Sequence, residues 1–141
     1  MRYLGLDLGT KTLGVSVSDI TLTIATALTI IRFSESDYDS TYEPLKKIIK
    51  EYDIGLIVLG LPRNMNNSIG FRGETTLQYQ RKLVDWFNLE VVMQDERLTT
   101  VEATNYMLQA DMSRKKRKKN VDKLAANIIL QTYLDKCKKK G

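Results

Sequence analysis

The order of strand-like and helix-like segments is the feature that most restricts how this chain can fold. Three runs rich in strand-forming residues occupy its first part, at residues 3–8, 13–18 and 24–31, with short polar turns between them. Because short turns join antiparallel neighbours, these runs predict an antiparallel meander. The remainder alternates helical and strand-like patterns, which predicts an α/β fold with a mixed five-stranded sheet flanked by helices.

The later segments supply the helices of this prediction. Residues 42–52 have apolar side chains at helical spacing, and the apolar run at residues 54–59 predicts a buried strand reached by a βαβ crossover. A helix is predicted over residues 74–87, a short strand over residues 89–93, and two more helices after residue 98. The apolar stripe predicted for the helix over residues 74–87 consists of Leu77, Leu83, Val84 and Phe87.

Composition excludes several classes of function. The 141 residues contain no histidine, so imidazole bases, histidine triads and histidine-ligated zinc are excluded, and acid–base or metal chemistry must fall to carboxylates. The single cysteine, Cys137, cannot form an internal disulfide, and no apolar run approaches the roughly 20 residues that span a bilayer. Because an apolar fraction of 43% can supply one sizeable core, we expect one domain over residues 1–141. The single cysteine and the lack of a long apolar run lead us to expect a soluble, cytoplasmic protein.

Positive charge is concentrated near the C-terminus. Residues 112–141 contain eleven lysines and arginines against Asp122 and Asp135, a local balance of +9, whereas the rest of the chain totals −4. Such segregation indicates a surface for a polyanion, and nucleic acid is the polyanion that we expect. A solvated, solubilising tail accounts for the charge equally well.

Asp7 is the first of three candidate catalytic positions. It lies in the otherwise apolar run GLDLG, where the alternation of a strand places it on the same face as Tyr3 and Gly5. A carboxylate there is costly unless it is paired or binds a cation. The alternative is an ordinary strand-end aspartate that caps the following turn.

The second candidate position is the acidic pair Asp95 and Glu96, which falls where a strand ends and a helix begins. Adjacent strand residues point to opposite faces, so only one of the two can readily join Asp7. We expect this to be Glu96, with Asp95 as the second choice. The alternative is a surface pair neutralised by Arg97 near a helix N-terminus.

The third candidate is Asp122, which opens the helix predicted over residues 121–136. Small residues at Ala125 and Ala126 would let this helix approach the sheet closely. An aspartate at a helix start is often only a cap, so Asp122 carries weight only in combination with the other acids.

Four ordered segments carry a resemblance to a known family. They are DLGTKTLGVSVSD, GLPRNMNNSIGFR, DERLTTVEA and VDKLAANIILQTYLD, and together they span almost the whole chain. In order and spacing they resemble the YqgF/RuvX family of Holliday junction resolvase-like proteins. The resemblance implies a ribonuclease H fold and a role as a nuclease that matures the 5′ end of 16S ribosomal RNA. It also maps Asp7, the Asp95/Glu96 pair and Asp122 onto the acidic residues proposed for catalysis.

Two departures from the family pattern affect substrate contacts. The family commonly has Lys-Arg in the first hairpin, where this chain has Lys11 and Thr12, which removes one cation that could hold a phosphate. It commonly has Asp-Gly in the central loop, where this chain has Asn66 and Asn67. Asparagine tolerates the left-handed turn conformation, so the loop shape can survive, but a metal-binding carboxylate is missing there.

The fold implied by the resemblance predicts a two-metal mechanism. Hard carboxylate ligands select Mg²⁺ or Mn²⁺; Asp7 would bridge both ions, and Glu96 and Asp122 would each complete one. The substrate backbone would be held by cations in the first hairpin, the central loop and the basic run. These cations are Lys11, Arg63, Arg72, Arg114, Lys115, Lys116, Arg117, Lys118 and Lys119.

Three alternatives remain at the level of the sequence. A noncatalytic nucleic-acid-binding or ribosome-assembly factor would keep the fold and the basic surface without cleavage. The first hairpin also resembles that of actin-like and sugar-kinase ATPases, but those proteins fold as two duplicated domains and this chain has room for one. Within the nuclease class, branched DNA competes with precursor ribosomal RNA, and charge cannot choose between them. Ribosomal particles are a further expected partner, a membrane is not, and both monomer and homodimer stay open.

Overall fold

A computed structural model describes residues 1–61, 71–95 and 125–137. Within these ranges, no helix is long and apolar enough to cross a membrane. The strands are β1 (Arg2–Leu8), β2 (Thr12–Ser18), β3 (Ala25–Arg32), β4 (Ile54–Leu61) and β5 (Glu90–Asp95). The helices are α1 (Tyr42–Glu51), preceded by a 3₁₀ turn at Tyr38–Thr41, α2 (Phe71–Phe87), and α3, described over residues 125–137.

The five strands form one mixed sheet in the order β3-β2-β1-β4-β5. Strand β2 pairs antiparallel with both β1 and β3, whereas β4 pairs parallel with β1 and β5 pairs parallel with β4. The predicted meander and mixed five-stranded sheet are therefore confirmed. The crossover that leaves β3 through α1 brings β4 beside β1 rather than beside β3, so the carboxyl ends of β1, β4 and β5 lie along one edge of the sheet.

Alternation along the strands divides the apolar side chains between two faces. On one face, which we call the α1/α2 face, Leu6 and Leu59 pack in one cluster with Leu45 of α1 and Leu83 of α2. On the other, the α3 face, Leu56 and Val58 pack with Ile129, Leu130 and Leu134 of α3. Each face therefore has its own apolar core, and neither is open to solvent along its centre.

The predicted apolar stripe of α2 is confirmed for Leu83 and Phe87, which pack in the α1/α2 cluster, and wrong for Val84. The side chains that α2 buries include Thr76, Tyr79 and Leu83, whereas Val84 is 40% exposed. Tyr79 can be buried because its hydroxyl lies 2.7 Å from the Thr41 hydroxyl, which satisfies its polar atom inside the core. Trp86 packs half-buried against the α1/α2 cluster.

Candidate active site

Asp7 lies one residue before the carboxyl end of β1, on the α3 face of the sheet. Its backbone is paired with Gly14 of β2, and its side chain is half-buried. Gly5, two residues earlier, lies beneath α3, and Tyr3 packs against Tyr133 of the same helix. The predicted alternation of Tyr3, Gly5 and Asp7 is therefore confirmed.

The parallel strands place Gln94 level with Asp7 on the same face. Leu6 pairs with Leu59 and Leu59 pairs with Met93, so the next row joins Asp7 to Gly60 and Gln94. Gly60 has no side chain, so only backbone lies between the two polar positions, which are about 10 Å apart at two strand spacings. Gln94 has no role that the sequence alone predicts, because its place level with Asp7 depends on the pairing register of the strands.

Asp95 occupies the last position of β5, where its backbone pairs with Leu61. Since Gln94 belongs to the α3 face, the position of Asp95 belongs to the α1/α2 face. Glu96 lies outside the described residues. The ranking of Glu96 above Asp95 stays a prediction.

Helix α3 approaches β1 unusually closely, as its small residues predict. A Cβ atom on Gly5 would lie 2.7 Å from Leu130 Cβ and 3.0 Å from the Ala126 carbonyl oxygen. The buried Ser16 hydroxyl donates a hydrogen bond to that same carbonyl over 2.8 Å. Gly5 and Ser16 thus set the distance between the helix and the sheet, two residues from Asp7.

The direction of α3 follows from its other contacts. Gln131 accepts a hydrogen bond from the Ala25 backbone N–H and donates one to the Thr23 carbonyl, at 2.8 and 2.9 Å. Tyr133, farther along the helix, packs against Tyr3 at the start of β1. The helix therefore runs opposite to β1, and its first described residues lie toward the end of the sheet that carries Asp7. Asp122 itself lies outside the described residues.

Most of the predicted phosphate-binding cations lie outside the residues whose side chains the structure describes. Lys11 is exposed in the turn between β1 and β2, and Arg72 is in the first turn of α2. Arg63 and the basic run at residues 114–119 lie outside the described residues, as does the helix predicted from residue 99. Within the described ranges, no three acidic, cysteine or histidine side chains form a group that could hold a metal ion. Asp7 is thus the one predicted metal ligand whose side chain has a described position.

Asp19, the other aspartate of the first motif, has a different role. It follows β2 at the end of the sheet away from Asp7, in an exposed turn. A hydrogen bond from the Thr21 hydroxyl, supported by the backbone N–H groups of Ile24 and Thr23, lowers the pKa of Asp19 to about 2. Asp19 is therefore committed to the turn between β2 and β3.

Comparison with known proteins identifies the family and confirms the fold. The model of a family described as "RuvX: Holliday junction resolvase" matches residues 1–136. The chain belongs to the RuvX family.

Its relatives in this family are similar over almost their full length. A protein of Staphylococcus saprophyticus is 50% identical over 135 residues, covering 95% of each chain. One of Thermoanaerobacter pseudethanolicus is 48% identical over 141 residues, covering 99% of this chain and 100% of that one. Both are named "Putative pre-16S rRNA nuclease". The family resemblance inferred from the four motifs is confirmed.

A solved structure confirms the fold. RuvC from T. thermophilus, in complex with a Holliday junction substrate, superimposes with a TM-score of 0.55 over 92% of this chain and 91% of its own. The two sequences are 13% identical, so the likeness concerns the fold alone. The mixed sheet with flanking helices is a ribonuclease H-like fold, as the motifs imply.

Proposed function

We propose that this protein is a metal-dependent nuclease that hydrolyses a phosphodiester bond at the 5′ end of precursor 16S ribosomal RNA. The observation that carries the proposal is the position of Asp7, at the carboxyl ends of three parallel strands and on the sheet face that α3 covers. Ligands bind in open α/β sheets at this edge of the strands. A half-buried carboxylate there, on the face away from the larger apolar core, suits a reaction centre better than a structural site.

The donor set fits a divalent cation. Carboxylate oxygens are the ligands that Mg²⁺ and Mn²⁺ prefer, and the chain has no histidine that would favour zinc. Asp7, Glu96 and Asp122 would hold the ions, with Asp95 as the substitute for Glu96. Bound there, the ions would supply an activated water and neutralise the charge that grows on the phosphoryl group.

Residues of the chain itself would orient the substrate. Gln94 lies level with Asp7 across Gly60, and its amide can donate to a phosphate oxygen or hold a water molecule. Helix α3 covers the centre of the same face and leaves the edge at Asp7 half-open, so a nucleic-acid strand can reach the carboxylate from the side. Lys11, Arg63, Arg72 and the basic run at residues 114–119 would hold the strand by its phosphates.

Ribosomal RNA is the favoured substrate because the two relatives at about half identity are both named for it. Branched DNA is the second candidate, and the family description favours it. A noncatalytic assembly factor is the third. We further propose that residues 1–141 form one nuclease domain, that it acts in the cytoplasm, and that nucleic acid, free or in ribosomal particles, is its partner.

Purified protein separates these candidates. It should be incubated with Mg²⁺ or Mn²⁺ and either an RNA that spans the mature 5′ end of 16S ribosomal RNA or a four-way DNA junction. Cleavage of the RNA at the mature end, together with accumulation of uncut 5′ ends in depleted cells, supports the proposal. Cleavage of the junction alone would establish a resolvase, and binding without cleavage of either would establish an assembly factor.

A further inference from the structure

Arg32 lies at the end of β3, on the same face of the sheet as Asp7. Asp7 pairs with Gly14 and Gly14 pairs with Ile30, so these three positions share one row on the α3 face. Arg32 is two residues beyond Ile30, paired with Thr12, and therefore belongs to the same face nearer the edge. Two strand spacings and two residues of rise place its α carbon about 12 Å from that of Asp7.

The turn that carries Lys11 is held by backbone hydrogen bonds against the residues that follow Arg32. The N–H of Phe33 donates to the Lys11 carbonyl over 2.9 Å, and the N–H of Ser36 donates to the Thr10 carbonyl over 3.2 Å. The turn after β1 and the segment after β3 thus form one rim of the sheet. Arg32 and Lys11 both project from this rim as exposed side chains.

The side chains of Arg32 and Lys11 take no part in the ion pairs, hydrogen bonds or ring contacts between described residues. The ion pairs within the described ranges join the N-terminal amine to Asp53 and Lys82 to Asp39. Two exposed cations that stabilise nothing in the described fold, on the rim of a candidate phosphodiester site, are available for a substrate anion.

The local charge limits what this pair can bind. Glu35 and Asp37 follow in the same exposed segment, so the rim as a whole is not strongly basic. The charges of these four described residues cancel, so broad attraction of a polyanion is a weak basis for binding at this rim. Direct contact of the two cations with one or two phosphates fits the arrangement better.

We propose that Arg32 and Lys11 form a phosphate-binding site that holds the RNA strand on the β3 side of Asp7. The phosphate is a neighbour of the scissile one, because the α carbon of Arg32 lies about 12 Å from that of Asp7. The guanidinium of Arg32 binds two phosphate oxygens as a fork, and the Lys11 ammonium adds a single point charge. The inference rests on the proposed function for its substrate class, but binding and cleavage test the two separately.

The test measures affinity of the full chain for a mixed-sequence single-stranded RNA, in EDTA, across a series of salt concentrations. Arg32→Gln should weaken binding about tenfold at low salt and reduce the slope of log affinity against log salt by about 0.7, and Arg32→Gln with Lys11→Gln by about 1.4. Arg32→Lys should keep most of the slope because it keeps the charge. Matched controls are Arg81→Gln and Lys47→Gln, exposed positions on α2 and α1 that pack on the opposite face.

Each outcome decides the inference. An Arg32→Gln slope equal to that of Arg81→Gln, or a wild-type protein that binds no RNA, would overturn the phosphate site, even if the enzyme cuts RNA. If Arg32→Gln flattens the salt dependence of RNA affinity but the wild-type protein cleaves no RNA, the phosphate site is supported and the proposed nuclease activity is contradicted. If cleavage is measurable, Arg32→Gln should raise KM and leave kcat within about twofold, because it removes binding remote from the reacting bond. A fall in kcat alone would contradict the assignment.

Discussion

The two faces of the sheet are built from different side chains. The α1/α2 face is filled by large residues, including Leu59, Tyr79 and Leu83, that interlock with few polar atoms. The α3 face contains Gly5 and Ser16 beneath Ala126, so helix and sheet meet almost backbone to backbone. Among the described residues, one face therefore supplies most of the apolar burial, and the other fixes a helix at short distance beside a carboxylate.

This difference indicates a division of labour. Burial of large side chains stabilises a fold with some tolerance for local shifts, whereas a site for metal and phosphate requires positions fixed within about 0.5 Å. Small residues at a helix contact leave little freedom for the helix to slide. Substitutions on the α1/α2 face should therefore reduce stability first, and those on the α3 face should reduce activity first.

The largest contrast is expected at the acidic pair after β5. Glu96→Gln should lower cleavage at least about a hundredfold, because loss of a metal ligand removes several kcal/mol of transition-state stabilisation. Asp95→Asn should change it much less, since the register of β5 assigns position 95 to the α1/α2 face. Single-turnover cleavage rates at matched Mg²⁺ measure both, and the reverse ranking would show that the faces are assigned wrongly.

A substitution in the larger core tests the other half of the comparison. Leu83→Ala removes a fully buried side chain from α2 and should cost about 2 to 5 kcal/mol of unfolding free energy. The folded fraction should keep near-normal kcat. Urea denaturation gives the stability, and Leu77→Ala, at a half-buried position on the same helix, is the matched control. If kcat instead falls in proportion to stability, the two faces do not have separate roles in stability and activity.

Gly5→Ala tests the close contact on the α3 face. The added methyl group would meet Ser16 Oγ, which can rotate, and Leu130 Cβ at 2.7 Å, which cannot move unless α3 shifts. We expect a loss of about 1 to 3 kcal/mol in stability and a disproportionate loss of cleavage by the remaining folded protein. Gly55→Ala is the control, because the three atoms nearest to its new methyl group all belong to the flexible Met1 side chain. Full activity in folded Gly5→Ala would show that the spacing of α3 is not critical.

The smallest effect is expected at Tyr79. Tyr79→Phe loses one buried hydrogen bond, with Thr41, and should cost about 1 kcal/mol at neutral pH. Burial raises the pKa of Tyr79 above its ordinary value, so its contribution is complete below about pH 10 and is lost as the pH rises further. The stability gap between wild type and Tyr79→Phe should therefore narrow between pH 10 and 11 in urea titrations. A gap that widens would contradict the buried neutral phenol, and Tyr52→Phe is the matched control.

The sequence predicted those parts of the fold that depend on local patterns. Alternation placed Asp7 on the face of Gly5, and the small residues of α3 indicated its close approach. Element ends differed modestly, as where α2 begins at Phe71 rather than at the predicted residue 74. The correct predictions follow from the periodicity of apolar residues, from turn chemistry and from side-chain size.

Features that depend on distant partners were not predictable. Tyr79 was missing from the predicted stripe of α2, because its hydroxyl can be buried only with the Thr41 hydroxyl opposite it, 38 residues away in the sequence. Gln94 and Arg32 join the candidate site through strand register, which no local pattern encodes. The position of β4 beside β1 was not predictable either, because a buried strand could pair with β1 or with β3.

The measurement that tests the central claim most directly is cleavage of precursor 16S RNA by Asp7→Asn at matched Mg²⁺ and Mn²⁺. The substitution keeps the shape of the side chain and removes its charge. We predict cleavage at background level, with wild-type stability and RNA affinity, whereas Asp85→Asn, an exposed aspartate on α2, keeps full activity. Wild-type cleavage by folded Asp7→Asn protein would contradict a nuclease site at this edge of the sheet.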